Sequence, residues 1–169
     1  ATIPVVGASF ADGVALAQPG STARIKVDSP QNVTQYNVIA ESRFGDPNNV
    51  VMVGAHLDSV LRGPGINDNG SGSAAILEVA LQMAKVKPRN KLRFAWWGGE
   101  EAGLVGSRAY VAGLTAEEKA KITLYLNFDR VGSPNHVFFI YDGDNSDGVG
   151  APEGPDGSAQ IEKVFEKFY

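Results

Sequence analysis

The 169-residue chain has no cysteine, only two histidines, and no apolar run long enough to cross a bilayer. The lack of cysteine excludes disulfides, a thiolate nucleophile and a zinc site with cysteine ligands. Any metal must therefore be held by His, Asp and Glu. The net charge is -4 and the chain has no basic run, which argues against a nucleic-acid or anionic-membrane partner.

The composition is that of an ordinary globular protein, with 43% hydrophobic and 20% charged residues. A chain of this length can form one full domain with a real core. Apolar runs alternate with helical patterns, which predicts an α/β fold: a mostly parallel mixed sheet flanked by helices. Predicted strands cover residues 3–6, 23–28, 36–41, 50–55, 91–97, 124–128 and 137–141. Predicted helices cover about 10–17, 70–86 and 104–112, and two more begin near Thr115 and Ser158.

Two local patterns refine this prediction. Residues 46–49 (DPNN) have the composition of a turn. Thr115 followed by Glu118 forms a capping box at the start of a helix. In the helix at 70–86 the polar residues form a single stripe, which predicts that most of this helix is buried.

The first candidate site residues follow the strand at 50–55. His56 ends this apolar run, and Asp58 lies where its carboxylate could orient the imidazole through its second nitrogen. Asp68 follows in the segment NDNGSG, where an aspartate could bind metal or could be a turn or N-cap residue. Asp58 could equally be a turn former. The segment GSG lacks the spacing of a dinucleotide loop, and no serine lies in a G-x-S-x-G elbow.

Further carboxylates follow two later strands. Glu100 and Glu101 come after WWGG, where one could ligate metal while the other acts as a general base. The alternative is a solvated acidic pair near a helix N-terminus. Asp129 ends the strand YLNF, where it could be a ligand or a simple strand terminator. Because the carboxyl ends of parallel strands share one edge of a sheet, His56, Glu100 and Asp129 are expected to converge there.

Four segments together resemble a known family. The motifs AHLDS, GPGINDNGSGSAA, RFAWWGGEEAGLVGS and YLNFD, in this order, resemble the secreted bacterial dizinc aminopeptidases. These are co-catalytic zinc exopeptidases of the leucine-aminopeptidase type. The resemblance covers about residues 35–169. Residues 1–30 resemble the tail of a protease-associated domain, so that 31–169 would be the N-terminal major part of the catalytic domain.

The resemblance implies a zinc enzyme that removes a residue from peptides with a free N-terminus, and it implies secretion. It also implies a role for each of six residues: His56 and Asp129 bind one zinc, Asp68 bridges both zincs, Glu101 binds the second, Glu100 is the general base, and Asp58 supports His56. A carboxypeptidase or a glutaminyl cyclase of the same superfamily is an alternative. So is a non-catalytic, metal-poor binding homologue.

Three departures from the family pattern stand out. The family's second zinc needs a distant downstream histidine, whereas His136 lies only seven residues after Asp129 and is expected to be a surface histidine. A downstream tyrosine and most of the specificity pocket are also expected beyond Tyr169, so we hypothesise a fragment whose isolated form holds at most one zinc firmly. Arg130 stands where the family usually has an apolar residue, often Met, and strand alternation predicts that it need not touch the metal. Gly99 replaces the usual Ala, which is a milder change.

Overall fold

The computed structural model describes residues 7–26, 33–148 and 152–169, in two compact units, 1–34 and 35–169. In the first unit the predicted helix is present as α1, Phe10–Leu16, and the Ser9 side chain caps its N-terminus. The strand predicted at 3–6 lies outside the described residues. Residues 23–26 are not in a strand, contrary to the prediction, since no described residue of this unit pairs with them. The assignment of this unit to a protease-associated domain stays a prediction.

The second unit is built on a four-stranded sheet with the order β1-β3-β2-β4. Its strands are β1 Val38–Glu41, β2 Asp46–His56, β3 Asn90–Trp97 and β4 Ile122–Asn127. The central strand β2 runs parallel to β3 and β4, and β1 pairs antiparallel with β3. The predicted fold class, a mostly parallel mixed sheet, is therefore confirmed.

The turn Ile66–Gly70 and α2 Ser71–Met83 connect β2 to β3, and α3 Val105–Gly113 and α4 Ala116–Lys121 connect β3 to β4. A further helix, α5 Ser158–Phe168, follows β4. The predicted capping box begins α4. Thr115 Oγ1 accepts a hydrogen bond from the Glu118 amide at 3.2 Å, and the Thr115 amide donates to the Glu118 carboxylate at 2.7 Å. No helix in the described part of the chain is both long and apolar enough to cross a membrane.

Alternation along the strands gives the sheet a core on each face. On one face Val53, Phe94 and Trp96 pack with Ile76 of α2. On the other face Met52, Ala95 and Trp97 pack with side chains that include Tyr110 of α3. Covering both faces explains why β2 and β3 end in nearly continuous apolar runs. The polar residues that follow these runs consequently emerge at one edge of the sheet.

Three local predictions are wrong. The segment 46–49 is not a turn but the irregular start of β2, where the register with β3 shifts between Asp46 and Val50. Residues 137–141 form no strand, and their aromatic side chains are exposed, because the segment pairs with no described strand. Only a narrow face of α2 is buried among the described residues, since Leu77 and Leu81 remain about half exposed.

Candidate metal centre

His56 is the centre of the site at the carboxyl edge of the sheet. It ends β2 and is only 2% exposed. Its Nδ1 lies 2.9 Å from the backbone carbonyl of Asp58. Because a carbonyl oxygen only accepts hydrogen bonds, Nδ1 carries the proton and Nε2 presents its lone pair. Nε2 is buried, and no described residue forms a hydrogen bond with it.

Two aspartates face this unpartnered nitrogen. Asp68 Oδ1 lies 3.1 Å and Asp129 Oδ1 lies 3.4 Å from His56 Nε2. The three potential ligand atoms all lie within 4.8 Å of one another. A lone pair and two carboxylates brought this close repel one another unless a cation lies between them. One nitrogen and two carboxylate oxygens are a donor set that suits zinc, so the residues fit a metal.

Asn69 fixes the turn of Asp68 to the chain after β4. It is 1% exposed, and its side-chain Nδ2 donates to the Phe128 carbonyl at 2.9 Å. Its Oδ1 accepts from the Gly72 amide at 2.9 Å. A side chain at Gly72 would collide with both Asn69 and Phe128, so glycine is needed for this close approach. The hydrogen bond between Asn69 and Phe128 thus brings their neighbours Asp68 and Asp129 together.

Glu100 and Glu101 approach His56 from the turn after β3. Glu100 Oε2 lies 3.9 Å from His56 Nε2, and both glutamates join His56 in a second potential ligand group. Gly99 has a φ of 70°, a left-handed conformation in which glycine is favoured over the alanine usual at this position. Burial raises the pKa of the Glu100 carboxyl, and nearby carboxylates raise it further, while His56 opposes this shift.

Asp58 organises this site in a different way from the predicted one. Its backbone carbonyl, rather than its carboxylate, accepts from His56 Nδ1; the nearest carboxylate oxygen is 3.7 Å from Nδ1. The carboxylate instead accepts from the backbone amides of Glu100 and Glu101, at 2.9 and 3.1 Å. Asp58 therefore connects the end of β2 to the turn that carries both glutamates.

Arg130 does reach the site, contrary to the expectation from strand alternation. β4 ends at Asn127, and Arg130 has a φ of 53°, so the alternation of a strand no longer applies. Its guanidinium donates to Asp68 Oδ2 from two nitrogens, at 2.9 and 2.7 Å. This hydrogen bonding to Asp68 is the main cause of the raised pKa of Arg130.

Two other groups lie apart from this arrangement. His136 is exposed and contacts the Phe138 ring, as expected for a surface histidine. Asp142, Asp144 and Glu162 form a further acidic group, in which each carboxylate accepts from a backbone amide of residues 143–147.

Comparison with known proteins decides the family. Residues 37–169 match the family model of peptidase family M28. The chain belongs to peptidase family M28. An aminopeptidase of Pseudomonas aeruginosa is 61% identical over 170 residues, which are 99% of this chain and 31% of that protein. A probable leucine aminopeptidase 2 of Aspergillus fumigatus is 52% identical over 171 residues, which are 98% of this chain and 34% of that protein.

Solved structures agree with this family and its fold. The structure of BSAP, a zinc aminopeptidase from Bacillus subtilis, matches with a TM-score of 0.54 and 39% identity. The match covers 57% of this chain and 24% of the BSAP chain. The M28 chain spans about a third of the length of the curated relatives it matches.

Each of the six residues singled out in this M28 sequence lies at one edge of the sheet. Asn69 and Arg130 are the site residues that sequence reasoning missed or misplaced. The segment NDNG gave a signal for Asn69, since an amide side chain beside a candidate ligand and a glycine-rich helix start can join backbone segments. Arg130 had no comparable signal, because its position depends on a left-handed backbone conformation that the sequence did not reveal.

Proposed function

We propose that the natural protein containing this chain is a zinc-dependent aminopeptidase that hydrolyses the N-terminal peptide bond of peptides. One observation carries the proposal: the buried, unpartnered Nε2 of His56 faces Asp68 and Asp129, with Glu100 beside them. Membership of peptidase family M28 and the printed names of the aminopeptidase relatives support the reaction class. The zinc named for BSAP supports the choice of metal.

His56, Asp68 and Asp129 would hold the first zinc. When bound, zinc polarises the scissile carbonyl and lowers the pKa of a water molecule. Glu100 accepts a proton from the attacking water and returns it to the leaving amine. Its position supports this role, because Glu100 Oε2 is held beside the ligand group, 3.9 Å from His56 Nε2. Asp58 holds the backbone of Glu100 in place.

Asp68 and Glu101 would supply ligands to a second zinc. The second oxygen of Asp68, Oδ2, contacts Arg130, while Oδ1 faces His56. Glu101 belongs to the other potential ligand group. We propose that a further ligand comes from outside these 169 residues. The isolated chain would then hold one zinc firmly and show little activity. Two tightly bound zincs with normal turnover in the isolated chain would contradict this part of the proposal.

The substitutions Glu100→Gln and Glu101→Gln in the natural protein form a matched test. Glu100→Gln should reduce turnover by about 10²- to 10⁴-fold while zinc content stays unchanged, because a general base is lost and no ligand is removed. Glu101→Gln should lower zinc content as well as turnover. Peptide hydrolysis and metal analysis on the same samples measure both effects.

Two outcomes would contradict this assignment. Loss of zinc in Glu100→Gln would make Glu100 a ligand rather than the base. Turnover unaffected by Glu100→Gln would exclude Glu100 as the general base. Secretion, also implied by the family resemblance, stays a prediction that an assay of the culture supernatant can test.

A further inference from the structure

The two oxygens of Asp68 have different partners. Oδ1 faces His56 Nε2 at 3.1 Å. Oδ2 accepts two hydrogen bonds from the Arg130 guanidinium, at 2.9 and 2.7 Å. A carboxylate that bridges two metal ions gives one oxygen to each ion. Arg130 therefore holds the oxygen that a second metal would need.

The Arg130 backbone is anchored inside the protein, whereas its side chain is mostly exposed. The backbone amide lies 3.3 Å from the buried Asn69 Oδ1, to which it donates a hydrogen bond. The side chain, in contrast, is 68% exposed. The guanidinium can consequently turn into solvent without a change in the backbone that carries Asp129. Its contact with Asp68 is exposed on the arginine side, and water and salt weaken exposed ion pairs.

The charges around Asp68 explain why a cation lies there. Asp68 is the main cause of the raised pKa of Arg130, and the charges of Asp129 and Glu101 add to it in the same direction. These carboxylates stay close together more easily when a positive group neutralises part of their charge. A divalent ion would do this more strongly than a guanidinium. The two cations repel each other and cannot share Asp68 Oδ2.

We propose that Arg130 is a displaceable cation that stands in for the second metal at Asp68. It neutralises Oδ2 while only the metal on the His56 side is bound, and it leaves when a second ion binds. The inference rests on the two-metal function proposed above. Binding of the two metals would thus be sequential, and the second step would be weakened by the loss of the Arg130–Asp68 contact.

Zinc titration of the metal-free natural protein tests this inference. Arg130→Met removes the charge but keeps an extended side chain. It should tighten the second zinc equivalent by about tenfold, because charge-assisted hydrogen bonds no longer compete with the ion. The first equivalent should stay within about twofold, since Oδ1 is not touched. Arg130→Lys should give an intermediate affinity.

Arg43→Met is the matched control. Arg43 is exposed and follows β1, which is antiparallel to β3 and therefore ends at the opposite edge of the sheet. This control removes the same charge and should leave both zinc affinities unchanged. An equal gain in second-zinc affinity in Arg43→Met would show a general charge effect and would overturn the inference.

Thermal unfolding gives a second readout that a merely structural role of Arg130 would not produce. Arg130→Met should lower the melting temperature of the metal-free protein and should not lower it at saturating zinc. A similar loss in both states would overturn the inference. The inference would also fail if the wild-type protein binds two zincs and Arg130→Met does not change the affinity for the second. In that case the proposed two-metal function would still stand. If neither protein binds a second zinc, the inference and the two-metal function both fail.

Discussion

The second unit contains two groups of acidic side chains that look alike in composition but differ in their hydrogen bonding. In the His56 group, Asp68 and Asp129 face a buried nitrogen that has no hydrogen-bond partner among the described residues. In the loop group, Asp142, Asp144 and Glu162 accept hydrogen bonds from backbone amides. The first group needs a cation, whereas the second is already satisfied.

The two groups also differ in how the fold assembles them. His56 ends β2, Asp129 follows the parallel strand β4, and Asn69 holds the turn of Asp68 against the chain after β4. The sheet therefore fixes these positions from segments far apart in sequence. The loop group arises from one short segment and the start of α5. Carboxylates that lie close together are therefore weak evidence for a metal site. A buried nitrogen whose lone pair has no hydrogen-bond partner is much stronger evidence.

Removing the buried imidazole should have the largest effect. We expect His56→Ala in the natural protein to weaken zinc binding by roughly a hundredfold or more, because a side chain that would bind the metal directly is lost. Losing even a side chain that only supports a ligand typically costs about 10- to 100-fold. His136→Ala is the matched control, since His136 is exposed and lies outside the ligand groups. Zinc titration of both variants provides the measurement. An equal loss of zinc affinity in the two variants would show that His56 does not bind the metal.

The second-largest effect is expected when Asn69, which connects the turn of Asp68 to the chain after β4, is replaced. Asn69→Ala leaves the Phe128 carbonyl and the Gly72 amide without their partner in a buried place. The cost should be about 2 kcal/mol in the free energy of unfolding, because unsatisfied buried groups are expensive. Chemical denaturation can measure it. A cost as small as that of Asn48→Ala, at an exposed position at the start of β2, would mean that Asn69 does not hold the turn of Asp68 in place.

The sheet and the positions of the site residues followed well from the sequence. The apolar runs before His56 and after Lys91 predicted β2 and β3, since strands covered on both faces have few polar residues. The rule that parallel strands present their carboxyl ends at one edge then brought His56, Glu100 and Asp129 together. These inferences needed only pattern and topology.

Other features depend on tertiary contacts that no local pattern encodes. Residues 137–141 have strand composition, but a strand also needs a hydrogen-bonded neighbour, and no described strand provides one. Asp58 was expected to act through its carboxylate, yet the chain turns so that its backbone carbonyl meets His56 first. Arg130 was misplaced because β4 ends before it and its backbone is left-handed, so the alternation of a strand no longer applies there.

A smaller effect on turnover is expected when the carboxylate of Asp58 is replaced. Asp58→Asn keeps the carbonyl that holds His56 but disturbs the carboxylate that accepts from Glu100 and Glu101. Turnover should fall by about tenfold, while affinity for the first zinc changes by less than about threefold. Kinetics and zinc titration on one sample separate the two effects. A loss of zinc as large as in His56→Ala would instead assign the orientation of the imidazole to the carboxylate.

The smallest effect is expected for Asp144→Asn in the loop group. Hydrogen bonds from Ser146 hold the pKa of Asp144 below its usual value. A carboxylate with a lowered folded-state pKa stabilises the fold above its unfolded-state pKa, and this contribution is lost as the pH falls through the folded-state pKa. Asp144→Asn should therefore lower the melting temperature slightly at neutral pH and not at acidic pH, with zinc affinity unchanged within about twofold. Zinc affinity should not change, because backbone amides already donate to the carboxylates of the loop group. A marked loss of zinc would show that the loop group also holds a metal.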